Sequence, residues 1–185
     1  MVYLKLVKHD QKYAEEMSRL TSDWRVKDAL GLNEKQISLQ GTQDYIDFIL
    51  HEEKQFKQLS RVMLNKEDQL IGVITLKSIS PYSKTAHIGT WIAAPYWGKG
   101  YNELAKKMIL TIAFKEMGLK YVFAGATVDN VRSQKAQIKL PYMLIDVGAQ
   151  FPDELEKIEA ETHSKCILNV ITRELFLEYL QSSSL

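Results

Sequence analysis

Along the chain the spacing of apolar residues switches repeatedly between the two-residue period of a strand and the longer period of a helix. Residues 2–7 read as a short strand, after which Asp10 stands where it can cap a helix whose apolar positions Tyr13, Met17 and Leu20 share one face. Gly41-Thr42 marks another helix start, with Thr42 as cap and Tyr45, Phe48 and Ile49 on one face, continuing toward Phe56. Residues 61–64 and 70–76 flank the turn Asn65-Lys66-Glu67-Asp68 and predict an antiparallel hairpin. Pro81-Tyr82-Ser83 then breaks the chain before a strand at 86–93. The strongest helical pattern covers 103–117, where Leu104, Met108, Ile109, Ile112, Ala113 and Met117 line an apolar face and Gly118 sits at the C-terminal cap. Residues 121–128 are apolar almost without alternation, as in a strand buried on both faces, and the helix before them makes that strand parallel to its predecessor. A shorter helix at 130–140 stops at Pro141, a strand follows at 143–147, and an acidic stretch at 151–161 precedes a last strand, Cys166–Thr172. This order predicts an α/β chain of the α+β type, with helices on the faces of a mixed central sheet.

Composition narrows the class. Apolar residues make up 45% of the 185 and charged residues 25%, the balance of an ordinary globular chain, so residues 1–185 are expected to form one domain. Lys and Arg number 24 against 23 Asp and Glu, which leaves no global field to recruit nucleic acid or an anionic membrane. The lone Cys166 has no disulfide partner and no thiol cage for a metal, and no His/Cys cluster has ligand spacing, so no metal is expected. A reducing, cytoplasmic setting follows. The first residues turn charged too soon for a signal peptide, and no stretch approaches the roughly 20 apolar residues of a spanning helix. The Ser-Ser-Ser-Leu tail is expected to fray.

The chemistry concentrates in Trp91-Ile-Ala-Ala-Pro-Tyr-Trp-Gly-Lys-Gly-Tyr-Asn-Glu-Leu-Ala, where a strand runs through a glycine-containing turn into the start of the best helix. Glycines let backbone approach a phosphate, and the unpaired N–H groups and dipole of the helix start favour an anion; Lys99 adds a cation. Gly-Lys-Gly also serves as an ordinary tight turn, so alone it leaves both readings open. Neither a P-loop nor a Gly-x-Gly-x-x-Gly dinucleotide fingerprint is present, which argues against a nucleotide triphosphatase or a dehydrogenase.

The surrounding sequence resembles the GNAT N-acetyltransferase superfamily, in particular the branch that includes bacterial ribosomal-protein N-terminal acetyltransferases. The acetyl-CoA loop of that family has the form Arg/Gln-x-x-Gly-x-Gly/Ala. Trp97-Gly-Lys-Gly-Tyr-Asn102 lies over it with Gly100 on the central glycine, while Trp97 replaces the Arg/Gln and Asn102 the Gly/Ala. Asp129-Asn130-Val-Arg-Ser133-Gln-Lys-Ala-Gln-Ile-Lys139-Leu140 resembles the Asn-x-x-Ser-x-x-x-x-x-Lys-Leu-Gly-Phe helix in register, up to Pro141-Tyr142 where Gly-Phe is usual. The ending Cys166-Ile-Leu-Asn-Val-Ile-Thr-Arg-Glu resembles the family's last strand. The match takes in about residues 60–180, and the first 60 by element order alone.

The resemblance implies a splayed sheet of GNAT fold, with the pantetheine arm of acetyl-CoA between the strand ending at Ala93 and the strand at 121–128. Backbone groups of Trp91, Ile92 and Ala93 would bond the arm and thioester, and Gly98, Lys99, Gly100, Tyr101 and Asn102 would hold the pyrophosphate. Ser133 falls where this branch places a hydroxyl near the sulfur and is the general-acid candidate; the alternative is a hydroxyl turned onto the preceding turn. Other members use a tyrosine at the position of Gln137, which cannot donate as an acid. Asn130 would contact the arm, cap its helix, or both. Arg132, with Lys135 and Lys139, would meet the adenosine phosphates or remain solvated. His87 stands where relatives often carry Glu and is the general-base candidate, against a structural strand histidine.

The run Asp153, Glu154, Glu156, Glu159 and Glu161 reads as a solvated helix or hairpin, or as a rim for a cationic acceptor. Trp24 and the helix at 45–56 would lie at the acceptor mouth or in the core. The expected activity is acetyl transfer to a primary amine by direct attack in a ternary complex. A protein or peptide α-amine leads, a polyamine or aminoglycoside-like small molecule comes second, and a non-catalytic acyl-CoA-binding module is the competitor from another class. Family analogy also allows a homodimer.

Overall fold

The computed structural model describes residues 2–183. Ser184 and Leu185, on which part of the expected tail fraying falls, lie outside the described residues. Six strands form one mixed sheet: β1 (Lys5–Val7), β2 (Leu59–Leu64), β3 (Leu70–Ser80), β4 (Thr85–Ile92), β5 (Tyr121–Thr127) and β6 (Cys166–Thr172), in spatial order β1-β2-β3-β4-β5-β6. The hairpin read at 61–64 and 70–76 is present as the antiparallel pair β2 and β3, and β5 runs parallel to β4 as expected. The helices are α1 (Ala14–Thr21), α2 (Trp24–Leu30), α3 (Glu34–Ile37), α4 (Leu39–Lys54), α5 (Tyr101–Thr111), α6 (Val131–Ile138), α7 (Pro152–Thr162) and α8 (Arg173–Ser182). None of the described helices is long and apolar enough to cross a membrane.

Contacts group these elements into two compact units. The first runs up to Lys77 and includes Gly89–Ile109; the second takes Ser78–Ile88 and the chain from Leu110 onward. In the first, Ala14, Met17 and Leu20 of α1 and Ile46 of α4 close over Val62, Leu64, Leu70 and Val73 of the hairpin and over Ala93. Asp10 caps the 3₁₀ turn Gln11–Tyr13 that leads into α1 rather than α1 itself, its side chain accepting from the Lys12 N–H at 2.8 Å. In the second, Ile158 of α7 packs with Phe123, Val147, Leu168 and Val170.

Several expectations are corrected. The helix read from Gly41-Thr42 starts at Leu39, because Ser38 is its cap: the Ser38 hydroxyl accepts from the Gly41 N–H at 3.0 Å, and Thr42 is buried inside the helix. Its inner face is Thr42, Ile46 and Ile49, whereas Phe48 stays 50% exposed. We expect Ser38→Ala to cost about 1 kcal/mol of stability, read as a lowered urea midpoint with unchanged slope. Helices α2 and α3 lie in the segment that carried no element. Residues 143–147 form no strand; they contribute one bridge, Leu144 to Val170, and the Val147 N–H donates to the Leu168 carbonyl at 2.8 Å. The acidic stretch is helix α7, and the chain continues past the last strand into α8.

The helix expected at 103–117 begins at Tyr101 and loosens into a π-turn at Ile112–Glu116, where the Met117 N–H bonds Ile112 rather than Ala113. One extra residue in the turn rotates the face. Phe114 is thereby buried and Met117 left exposed, the reverse of the regular pattern.

Candidate functional site

In the first unit the end of β4 leads through a 3₁₀ turn, Ala94–Tyr96, into the Gly-Lys-Gly turn and α5. Strand β3 approaches this end closely. A Cβ on Gly72 would stand 2.2 Å from the Trp91 carbonyl oxygen, so only glycine allows the two backbones to meet there. The Ala93 N–H donates to the Ile71 carbonyl at 2.8 Å, which commits that amide to the sheet. Trp97, in the place of the family's Arg/Gln, donates its indole N–H to the Ile92 carbonyl at 2.6 Å. The Arg25 guanidinium of α2 lies 5.9 Å from the Trp97 ring. Of the three backbone groups expected to hold a pantetheine arm, those of Ile92 and Ala93 therefore already carry protein partners.

Gly98 and Gly100 sit at φ 72° and 83°, the left-handed region, and both are exposed. That pair of left-handed residues is what the turn requires and what other residues resist. The first α5 bond described runs from the Leu104 N–H to the Gly100 carbonyl, so the amides of Tyr101, Asn102 and Glu103 precede it at the positive end of the helix. Lys99 extends over the Tyr96 ring at 5.5 Å. Asn102 Oδ1 and Thr90 Oγ1 are buried with no protein partner. An anion-receptive turn with one unsatisfied polar atom at its helix start, on Asn102, and another on the strand that leads to it, on Thr90, suits a ligand with phosphates at one end and amide groups along its length.

Lys106, one turn after Asn102 on α5, stands outside the site residues expected from the sequence. It is only 6% exposed, and burial lowers its amine from 10.5 to about 8. The available signal was a lysine between Ala105 and Ile109, both core positions of the same helix.

The second unit carries the remaining expected residues. Asn130 caps α6, its side chain accepting from the Ser133 N–H at 3.0 Å. Arg132 is exposed. The Ser133 hydroxyl is half-buried and accepts from Gln137 Nε2 at 3.2 Å. Gln137 and Asn169 form a buried pair behind it, with Asn169 Nδ2 donating to Gln137 Oε1 at 2.6 Å.

His87, the expected base, is 4% exposed and packs against the Phe123 ring. Its Nε2 lies 2.5 Å from Glu154 Oε2. An ionised carboxylate accepts only, so that nitrogen carries the hydrogen and donates. The imidazole is built into the packing beneath α7 rather than presented to an acceptor. Of the acidic run, Glu154 is spent on His87 and Lys157, and Glu159 on Lys165 and the Cys166 N–H; Asp153, Glu156 and Glu161 are exposed.

Burial acts most strongly on the Glu154 carboxyl and pushes it up, but the hydrogen bonds and charges of His87 and Lys157 together hold it below 4.5. A carboxylate depressed by folding contributes stability above its unfolded value and loses it as pH falls through its folded one. Melting curves taken from about pH 6 down to pH 3 should therefore show Glu154→Gln less stable than the parent at the upper end, with the two converging below about 4.5.

A family model described as an acetyltransferase (GNAT) domain matches residues 3–141. The chain belongs to the GNAT acetyltransferase family. The ribosomal-protein-serine acetyltransferase of Escherichia coli (strain K12) is 32% identical over 82 residues, which is 44% of this chain and 46% of that protein. The chain thus spans less than half the length of the curated relatives it matches. Among solved structures, the Microcin C7 self immunity acetyltransferase MccE, in complex with acetyl-CoA and AMP, aligns with TM-score 0.72 at 21% identity over 91% of this chain and 90% of its own. The spermidine N-acetyltransferase from Vibrio cholerae, in complex with CoA and spermine, aligns with TM-score 0.72 at 13% identity, covering 94% of this chain and 98% of its own. At these identities the likeness is one of fold. Acetyl-CoA is the acyl donor of GNAT acetyltransferases, and the unsatisfied atoms and left-handed turn of this GNAT domain fit it. Among the described residues no cluster of three or more His, Cys, Asp or Glu side chains is placed to hold a metal.

Proposed function

We propose that residues 1–185 act as one N-acetyltransferase domain that moves an acetyl group from acetyl-CoA to a primary amine, with the α-amine of a protein or peptide as the leading acceptor. The observation that carries the donor side is the turn itself: two left-handed glycines opening directly onto the first amides of α5, ahead of the bond from the Leu104 N–H to the Gly100 carbonyl. In this reading Gly98 to Asn102 hold the pyrophosphate, with Lys99 as a local cation, and Trp91 and Asn130 contact the pantetheine arm. Acetyl-CoA supplies the activated acetyl group. The neutral amine attacks the acetyl carbonyl, the C–N bond forming and the C–S bond breaking; Ser133 gives a proton to the departing sulfur, and the proton shed by the acylated nitrogen restores the serine hydroxyl through solvent.

The acceptor class rests on two supports. One is the similarity to a ribosomal-protein-serine acetyltransferase. The other is the burial of His87, which leaves no exposed base at that strand position and suits an amine that needs little help. An α-amine with a pKa of about 7.7 to 8.0 is roughly one part in seven neutral at pH 7, whereas a lysine near 10.4 is almost wholly charged. The exposed carboxylates Asp153 and Glu156 favour a second reading, a polyamine acceptor.

Release of CoA thiol, followed with acetyl-CoA and a panel of peptides bearing free N-termini beside spermidine, separates these. Acceptor-dependent release with peptides supports the first reading, and release with spermidine alone the second. Saturable acetyl-CoA binding with no acceptor-dependent release from any amine would make the chain a binding module.

A further inference from the structure

We infer that Gln137 and Asn169 are positioning residues for Ser133, forming a polarised amide chain that fixes the serine oxygen as an acceptor and turns its proton outward. The inference rests on the reading of Ser133 as the proton donor to sulfur. Gln137 is 4% exposed and Asn169 2%, so neither amide can satisfy itself with water.

The two ends of an amide look alike, and it is their neighbours that fix which end is which. At one end of the chain stands the Asp146 N–H, which can only donate, 2.9 Å from Asn169 Oδ1. Asn169 must then present its NH2 to Gln137, which receives it on Oε1 at 2.6 Å. Gln137 consequently turns its own NH2 to the far side, where it donates to the Gly125 carbonyl at 3.1 Å and to Ser133 Oγ at 3.2 Å. The Gly125 carbonyl can only accept, so the second anchor demands the same orientation as the first. Turning the amides over would set donor against donor at Asp146 and acceptor against acceptor at Gly125, each leaving a buried polar group without its bond.

The donor anchor is itself held in place. Asp146 is left-handed at φ 54°, and the flanking Leu144 and Val147 amides both donate to β6. With its oxygen accepting from Gln137, the Ser133 hydroxyl has its hydrogen left to give elsewhere. Gln137 thus serves the serine one helical turn before it, although it cannot act as an acid itself.

The test compares the parent, Ser133→Ala, Asn169→Asp and the double variant, using acetyl-CoA and a short peptide with a free N-terminus. Asn169→Asp replaces the donor facing Gln137 by an acceptor. Gln137 then turns over, and the Ser133 hydroxyl donates inward. We expect kcat to fall about tenfold with KM for acetyl-CoA unchanged, and no further fall when Asn169→Asp is added to Ser133→Ala. The introduced carboxyl still donates when protonated, so the ratio of variant to parent kcat should decline as pH rises.

A second readout needs no acceptor. At about pH 9, where a thiol is largely ionised, the parent should bind CoA more tightly than desulfo-CoA, and both single variants should lose that preference. A loss in Ser133→Ala but not in Asn169→Asp overturns the positioning role and leaves the serine reading intact. An equal fall from Asn169→Asp in both backgrounds overturns it as well. No change in Ser133→Ala by either readout removes the serine reading and this inference with it. Should Asn169→Asp fail to fold, Gln137→Met, uncharged and of similar length, is expected to lower kcat several-fold in the parent and not in Ser133→Ala.

Discussion

Ser133→Ala is expected to lower kcat about a hundredfold while KM for acetyl-CoA changes less than about threefold. The departing group is a thiolate whose parent thiol ionises near 8.5, so at neutral pH it gains from a proton donor as the carbon–sulfur bond breaks. In the structure the hydroxyl does not bond back to the preceding turn; it accepts from Gln137, and its own N–H is taken by Asn130. Alanine preserves the α6 backbone and the Asn130 cap, because the cap uses the residue's amide and not its side chain. Binding of the donor should therefore survive while the chemical step slows. Steady-state kinetics with saturating peptide acceptor, joined to calorimetric titration with acetyl-CoA, reads the two apart. An unchanged kcat would show that the sulfur leaves without help from this residue. A parallel rise in KM and Kd would instead make Ser133 a binding contact.

What could be seen in the sequence was local, and what could not was carried by contacts distant along the chain. The turn and its helix were legible because Gly98, Gly100 and the apolar period of α5 lie within a few residues of one another. The strand pairing around β2 and β3 followed from one turn, Asn65 to Asp68, for the same reason. Helices α2 and α3 escaped notice because neither shows a clear apolar face, and their signals were caps: Asp23 for one, and the Asn33–Gln36 capping box for the other. The π-turn reversed Met117 and Phe114 because hydrophobic period reports an average register, not a single inserted residue.

In the site, residue types were readable but their partners were not. The Trp97 indole bond spans five residues, and a substitution that looked like a departure proves to hold the end of β4. His87 meets Glu154 across 67 positions and Gln137 meets Asn169 across 32, and no spacing rule reaches so far. The same contacts changed the roles. His87 was read from its position on a strand, and α7, read in the sequence as a solvated helix or hairpin, is the element that covers and pairs it.

Gly100→Val is expected to weaken acetyl-CoA binding about thirtyfold, whereas Lys99→Ala should weaken it less than about fivefold. The two variants weigh backbone shape against side-chain charge in the same turn. Gly100 holds φ 83°, where a β-branched residue is a genuine outlier, and its Cβ would already touch the Val2 side chain at 3.6 Å. Forcing the turn to a negative φ costs about 2 kcal/mol or loses the presented amides, and 1.4 kcal/mol corresponds to a tenfold change in Kd. Lys99 is exposed and leans on Tyr96, so it offers a screened charge that counter-ions can replace. Its contribution should shrink further as salt is raised, while the Gly100 effect should persist. Calorimetric titration of acetyl-CoA into each variant at two salt concentrations checks both statements. If Lys99→Ala proved the more damaging, or Gly100→Val bound within twofold of the parent, the phosphates would be held by side-chain charge and not by the amides that open α5.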